Sequence, residues 1–206
     1  MRKIKVLIIA LFVLTTTTFA TDWSTNFSYN ISFAAGNIND YISRPSWLGF
    51  SLDFKGQEKT NLTWGFSFAW NSFYEKTGEI VYFYGDNSRD GAISGTQLRY
   101  LNVFPMMVNV GYVFGKYYSE IKPFVSAYLG TSYFSRQTDI GIYRFTNYAW
   151  GFTVAPELGL KIPTSRTSNF VISGRWYNTF GVDDSFIADE TNRNYITINI
   201  GFDFAY

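Results

Sequence analysis

From Trp23 onward, apolar and polar residues alternate. Trp23, Thr25, Phe27, Tyr29, Ile31 and Phe33 hold the odd positions, and Ser24, Asn26, Ser28, Asn30, Ser32 and Ala34 the even ones. A period of two marks a strand with unlike faces. The pattern returns over Leu48–Phe54, Leu62–Trp70, Trp150–Ile162, Phe170–Trp176 and Ile196–Tyr206. Two further strands are less regular. Leu98–Phe114 keeps its apolar face on even positions except at Asn102, and Pro105 within it predicts a bulge or an interrupted ladder. In Pro123–Tyr133, Phe124 and Tyr128 fall on the face that otherwise carries Ser126, Gly130 and Ser132. Eight strands result, and no stretch offers a convincing amphipathic helix.

The connections alternate in length. Those at 55–61, 115–121 and 163–169 are short. Those at 35–46, 75–96, 135–147 and 181–193 are longer and richer in Gly, Asp, Asn and Arg. Short turns at one end and long loops at the other are the pattern of a transmembrane barrel with an even strand count. Within the longest loop, Glu79–Tyr84 is expected to extend the third strand, with Gly95–Tyr100 as its partner.

Residues 1–20 read as an export signal. Arg2, Lys3 and Lys5 precede nine apolar residues, Val6–Leu14, and Thr18-Phe19-Ala20 offers a cleavage site before Thr21. Nine residues do not span a hydrocarbon core of about 30 Å, which takes roughly 20. The expected organisation is a signal peptide at 1–20 and one domain over 21–206. If that domain enters a membrane, only a closed barrel leaves no backbone group unpaired in lipid.

Composition decides between a barrel in lipid and a soluble sandwich. The 206 residues are 21% aromatic and only 16% charged, with a formal net charge of +1. A soluble protein presents water with a surface of about 25–35% charged residues. Here the polar face is Ser, Asn, Thr, Gly and Ala, which suits the crowded interior of a narrow barrel. The six tryptophans, Trp23, Trp47, Trp64, Trp70, Trp150 and Trp176, lie in or beside strands, as an aromatic girdle would. The last strand carries Ile198, Ile200, Phe202, Phe204 and Tyr206 in phase. A terminal aromatic closing such a strand resembles the C-terminal assembly signal of outer-membrane barrels, and that resemblance implies barrel-assembly machinery as a partner. Physically, that strand must pair with the first to remove both edges. The small net charge gives no basic excess for nucleic acid.

Two consecutive stretches carry a family resemblance. Leu101–Phe114 (LNVFPMMVNVGYVF) leads through a short turn into Ile121–Gly130 (IKPFVSAYLG). The pair resembles the small eight-stranded outer membrane protein β-barrel family, OmpX- and OmpW-like. The resemblance extends loosely over 21–206. It implies an all-β, antiparallel, up-and-down barrel in the outer membrane of a diderm bacterium, with both termini periplasmic and four loops outside. It implies no catalytic residue.

Candidate chemistry is sparse. The chain has no His and no Cys, which removes the usual general base, the Ser-His-Asp triad, disulfides and zinc-thiolate sites. Enzymatic relatives of this architecture rely on a catalytic His. No G-x-S-x-G elbow, phosphate loop or dinucleotide fingerprint occurs. No catalytic residue, cofactor or metal is expected. Asp86–Gly91 begins like a calcium loop, but Gln97 stands where a bidentate Glu belongs. The acidic residues Asp183, Asp184, Asp189 and Glu190 read as a solvated outer loop.

Inside the barrel, charge is expected to pair. If Ile162 and Phe170 close a hairpin, Glu157 lies opposite Arg175. A lumenal ion-pair cluster of Glu157, Arg175 and Asp203, with Arg99 and Lys161 as further members, then fills the barrel, since a buried charge is tolerated only when paired. The function expected is non-enzymatic: a structural or surface-interaction barrel working through its long loops. The alternatives are OmpW-like transport of a small or hydrophobic molecule, and an accessory role in an envelope or secretion machine. The expected partners are outer-membrane lipid and lipopolysaccharide and an extracellular partner at the loops, with the barrel itself a monomer.

Overall fold

A computed structural model of the protein describes residues 22–58, 61–83, 92–115, 121–182 and 192–206. The signal-like segment, the calcium-like loop and the acidic loop lie outside the described residues. Eight strands form one closed antiparallel barrel in sequence order. They are β1 (Asp22–Ala35), β2 (Leu48–Gln57), β3 (Leu62–Phe83), β4 (Ala92–Val113), β5 (Lys122–Ile140), β6 (Tyr143–Pro163), β7 (Ser168–Phe180) and β8 (Arg193–Ala205). Closure pairs β1 with β8 in an unbroken register from Ser24↔Ala205 to Ala35↔Asn194. Trp23 and Tyr206 exchange backbone hydrogen bonds beyond it.

Alternation now has a direction. Phe27, Phe66, Val108, Leu129, Phe152 and Phe202 face outward and are exposed, while Ser28, Ser51, Ser67, Ser132, Thr153 and Asn199 are buried in the lumen. An apolar exterior around a polar interior is the arrangement of a barrel in lipid, the reverse of a soluble protein. The inner face of β4 departs from this rule. Leu101, Val103, Met107 and Val113 point inward there and are buried.

Two of the four prolines in the strands, Pro105 and Pro156, interrupt pairing on one side only. Pro105 pairs with Ser132 of β5, while the β3–β4 register resumes unshifted at Asn71↔Val103 after Phe68↔Met106. Pro156 pairs with Ala127, and β6–β7 pairing is absent between Val154↔Asn178 and Glu157↔Arg175. A missing N–H removes a ladder bond toward one neighbour and leaves the other intact. The outcome at Pro105 is an interruption, not a bulge.

The strands are unequal. β3, β4, β5 and β6 have 22, 22, 19 and 21 residues, against 14, 10, 13 and 13 in β1, β2, β7 and β8. A span needs about 9–11, so the central four rise as a wall beyond the long-loop end. Glu79–Phe83 pairs with Ala92–Thr96 after a bulge at Thr77/Glu79. The third strand is therefore extended, but its partner is 92–96 rather than 95–100. The long connection expected over 135–147 is instead a hairpin, with Ile140↔Tyr143 closing the ladder. Its two-residue turn starts at Gly141, with φ 59°. Glycine first in a two-residue turn suits the twist of the flanking strands, and the flanking residues are polar enough to hide the strand pattern. The connection 35–46 holds a five-residue helix, α1 (Asn37–Tyr41), too short to show a helical period.

Candidate functional site

The lumen is filled in layers. Its centre is Arg175 of β7, 1% exposed. Nη2 donates to Glu157 Oε1 at 3.0 Å and to Asp53 Oδ2 at 2.9 Å, and Nε also reaches Glu157 Oε1 at 3.2 Å. The guanidinium lies 3.9 Å from the Tyr128 ring centroid, and the Tyr128 hydroxyl donates to Glu157 Oε2 at 2.6 Å. Ser67 Oγ donates to Asp53 at 2.5 Å, and Ser173 Oγ to Glu157 at 2.7 Å. Lys55 sits 3.3 Å from Asp53 and 3.9 Å from Glu157. In an eight-strand ring, β2 lies across the lumen from β6. The network therefore links opposite walls as well as neighbours.

Glu157 and Arg175 are directly paired in the β6–β7 register, together with Ile162 and Phe170. Asp203 is elsewhere. It pairs with Asn169, and Arg175 pairs with Thr197. Asp203 instead holds Lys161 at 2.6 Å, nearer the short-turn end. Arg99 lies at the opposite end, where it donates to the Tyr41 carbonyl at 2.8 Å and to Gln97 at 2.9 Å. Two members, Asp53 and Lys55, were missed. Their inward parity on β2 was visible, but their nearness to Arg175 depends on closure. In the lower lumen, three carboxylates (Asp53, Glu157, Asp203) meet three cations (Lys55, Lys161, Arg175). Such matching keeps a buried set tolerable.

Above the charged layer the filling is aromatic. Tyr177 and Tyr195 stack at 4.4 Å, and Phe73 meets Tyr195 edge-on at 5.7 Å. Asn71 donates to the Tyr195 hydroxyl at 3.3 Å and accepts from Asn30 at 3.1 Å. Next comes α1, turned inward. Ile38 and Ile42 are fully buried in one cluster with Leu101, Val103, Phe134 and Val182. Below the charged layer the barrel opens into a vestibule of about 920 Å³, lined by Lys122, Lys161, Arg166 and Asp203 among others. The lumen is thus open at the short-turn end and sealed toward the long loops. Reconstituted in planar bilayers, the intact barrel is expected to give no stable conductance. A reproducible ion current would contradict the seal.

The tryptophans face outward at two heights. Trp23 and Trp64 stand near the short-turn end with rings 5.3 Å apart. Trp47, Trp150 and Trp176 are exposed, and with Trp70 they lie farther along the strands toward the long loops. Ile198, Ile200, Phe202, Phe204 and Tyr206 are all exposed on the outer face of β8. Beyond the upper tryptophans, a further aromatic cluster covers the outer wall, where Tyr133 stacks on Tyr148 at 6.1 Å and meets Trp150 at 4.9 Å.

This combination defines a small transmembrane β-barrel with a filled lumen. Its fold is that of the small eight-stranded outer-membrane barrels. Among solved structures it is similar to Ail, the attachment invasion locus protein of Yersinia pestis, in complex with the heparin analogue sucrose octasulfate. That match has 12% identity and a TM-score of 0.52, over 90% of this chain and 98% of that one. It is also similar to Neisserial surface protein A, at 12% identity and a TM-score of 0.49, over 89% and 95%. The E. coli outer membrane protein W matches at 14% identity and a TM-score of 0.45, over 91% and 99%. At these identities the likeness is one of fold. No protein-family model and no curated protein matches the chain.

Proposed function

We propose that the protein is a non-enzymatic outer-membrane barrel whose working part is the β3–β6 wall, presented outside the cell as a surface-interaction module. The sealed lumen supports this reading over transport. In this reading the two tryptophan levels are interfacial belts, and the outer face of β8 is the assembly signal. The wall carries the functional argument. β3 loses its β2 partner after Leu48↔Ser72, and β6 loses its β7 partner beyond Phe152↔Phe180. Among the described residues this leaves two open strand edges above the membrane. The β3 edge is roughly 35 Å long at about 3.3 Å per residue.

Among the described residues, the side-chain contacts seen across each edge lie at its base. Ser46 Oγ donates to the Ser72 carbonyl, and Glu75 accepts from the Ser43 amide at 2.7 Å. On β6, the Tyr148 amide is met by Asn147 Oδ1 at 2.9 Å. An open edge adds a strand from a partner, with main-chain bonds for affinity and alternate side chains for specificity. Because the Ser72 carbonyl points to the open side, Lys76 directs its amide the same way.

The test is adhesion of a diderm host displaying the full chain to an immobilised panel of serum and matrix proteins. The full chain is expected to raise adhesion. Lys76→Pro, which removes an edge donor without touching the lumen, is expected to lower it at least fivefold with unchanged surface abundance. Equal adhesion of host and displaying strain across the panel would sink the reading.

A further inference from the structure

The β3 edge is complementary to itself. Ser72 directs its carbonyl to the open side. Tyr74 and Lys76 therefore present their backbone groups there too, because the direction alternates along a strand. A bulge then adds one residue between Thr77 and Glu79. Before it, the open-side residues pair with even positions of β4, as Tyr74↔Tyr100 and Lys76↔Leu98. After it, Glu79↔Thr96 and Val81↔Ser94 continue that series, so Glu79 and Val81 also face the open side. Tyr74, Lys76, Glu79 and Val81 are all exposed.

Turned end for end about a two-fold axis through the bulge, a second copy of this edge sets Lys76 opposite Glu79 and Tyr74 opposite Val81, each twice. Every opposed residue then directs its backbone groups at its partner, as a hydrogen-bonded antiparallel pair requires. Opposite charges, and an aromatic facing a β-branched residue, are favourable cross-strand combinations. The extra residue of the bulge meets the same extra residue in the other copy, so the register holds on both sides of it.

This self-complementarity chooses the partner. A bulge and a charged side chain restrict which strand can add to an edge. A strand of another protein would need a matching bulge, an acid opposite Lys76 and a base opposite Glu79. The inverted copy supplies all three. Specificity arises where the features that reject other partners are satisfied by one. An interface with a two-fold axis is also closed, because each copy offers the same patch and the assembly stops at two.

We propose that two copies of the protein join through their β3 edges as an antiparallel, two-fold pair. The paired strands run in opposite directions, so the long-loop ends point at each other and the copies sit in two facing membranes. The contact is homophilic, and the barrel works in pairs rather than as the monomer expected from the sequence. It holds the Trp70 levels of the two copies at most roughly 50 Å apart along the strands. The proposal rests on the reading of the β3 edge as an interaction surface outside the cell, and names its partner.

The test places the full barrel in phosphatidylcholine nanodiscs, one per disc, and follows pairing of the discs by sedimentation velocity. Wild-type discs are expected to pair at micromolar concentration. Lys76→Glu and Glu79→Lys should each weaken pairing at least tenfold, because both ion pairs of the dimer become repulsions. Mixing the two variants should restore pairing to within about threefold of wild type, since every charge again meets its opposite across the two-fold axis. The chain has no Cys. A short bismaleimide should therefore join discs carrying Tyr74→Cys to discs carrying Val81→Cys, and join neither kind to itself. That readout changes no charge, so a charge variant that fails to fold does not decide the result. Wild-type discs that stay single, pairs that survive both single changes, folded variants that do not recover on mixing, or absence of the Tyr74→Cys to Val81→Cys product overturns the proposal. Discs that stay single while Lys76→Pro still loses adhesion in the display assay overturn the choice of partner and leave the strand-edge reading in place.

Discussion

Arg175→Ala is expected to lower the unfolding free energy of the barrel by about 3–5 kcal/mol, the range for breaking a buried ion pair from one side. The cause is not the lost contacts alone. Asp53 and Glu157 are 2% and 3% exposed and would remain as two carboxylates facing one lumen, with only Lys55 between them. The hydroxyls of Ser67, Tyr128 and Ser173 would still donate to them but cannot neutralise them. Urea titration in phospholipid vesicles, followed by tryptophan fluorescence, measures the loss. Asp53→Asn, Glu157→Gln and Arg175→Met together should recover most of it, because the penalty belongs to uncompensated charge. Arg175→Ala should still not conduct. The aromatic layer and α1 above it remain in place. A loss below about 1 kcal/mol, or an ion-selective current from the variant, would show that the network does not staple the barrel.

Gly65→Ala is expected to cost about 3 kcal/mol, the upper end for overpacking. Gly65 pairs with Lys55 across the β2–β3 seam. A Cβ there would stand 1.8 Å from the Phe54 carbonyl oxygen and 3.0 Å from the Lys55 Cα. Both are backbone atoms, so the seam itself must open. β2 is also the strand that delivers Asp53 and Lys55 to the charged layer, so a shift there loosens the network as well. Gly130 and Gly201 meet the Met106 and Phe27 carbonyls in the same way, each at 2.1 Å. Gly174 is the contrast, because nothing lies within 4 Å of its would-be Cβ. Gly174→Ala should therefore leave stability within about 0.5 kcal/mol, as a surface substitution does. Heat-modifiable migration on gels and urea midpoints compare the two. Equal stability of Gly65→Ala and wild type would mean that the seam is looser than its geometry.

The reach of the sequence varied with distance along the chain. Glu157 opposite Arg175 was legible because the connection at 163–169 is short, and a short connection fixes the register of its hairpin. Asp203 was misplaced beside Arg175 because the β7–β8 connection is long and alternation does not count its residues. The observed pairing is Arg175↔Thr197. The hairpin over 135–147 was obscured for a different reason. Above the membrane, Ser135, Arg136, Gln137, Thr138 and Asp139 need no apolar face, so a strand there reads as a loop. α1 has five residues and leaves no period to detect.

By itself the sequence determined which residues face lipid and which face inward, the number of strands and their antiparallel order. Those are local properties, set by a side-chain period of two and by the lengths of the turns. Only the tertiary structure decided what the inward residues meet. Closing eight strands brings β2 opposite β6, and the accumulated registers choose the height at which each charge arrives. Asp53 therefore belongs to Arg175, Asp203 to Lys161, and Arg99 with Arg136 to the ring of Tyr41 at the mouth. Contacts across a lumen depend on every seam at once, and no single segment of the chain encodes them.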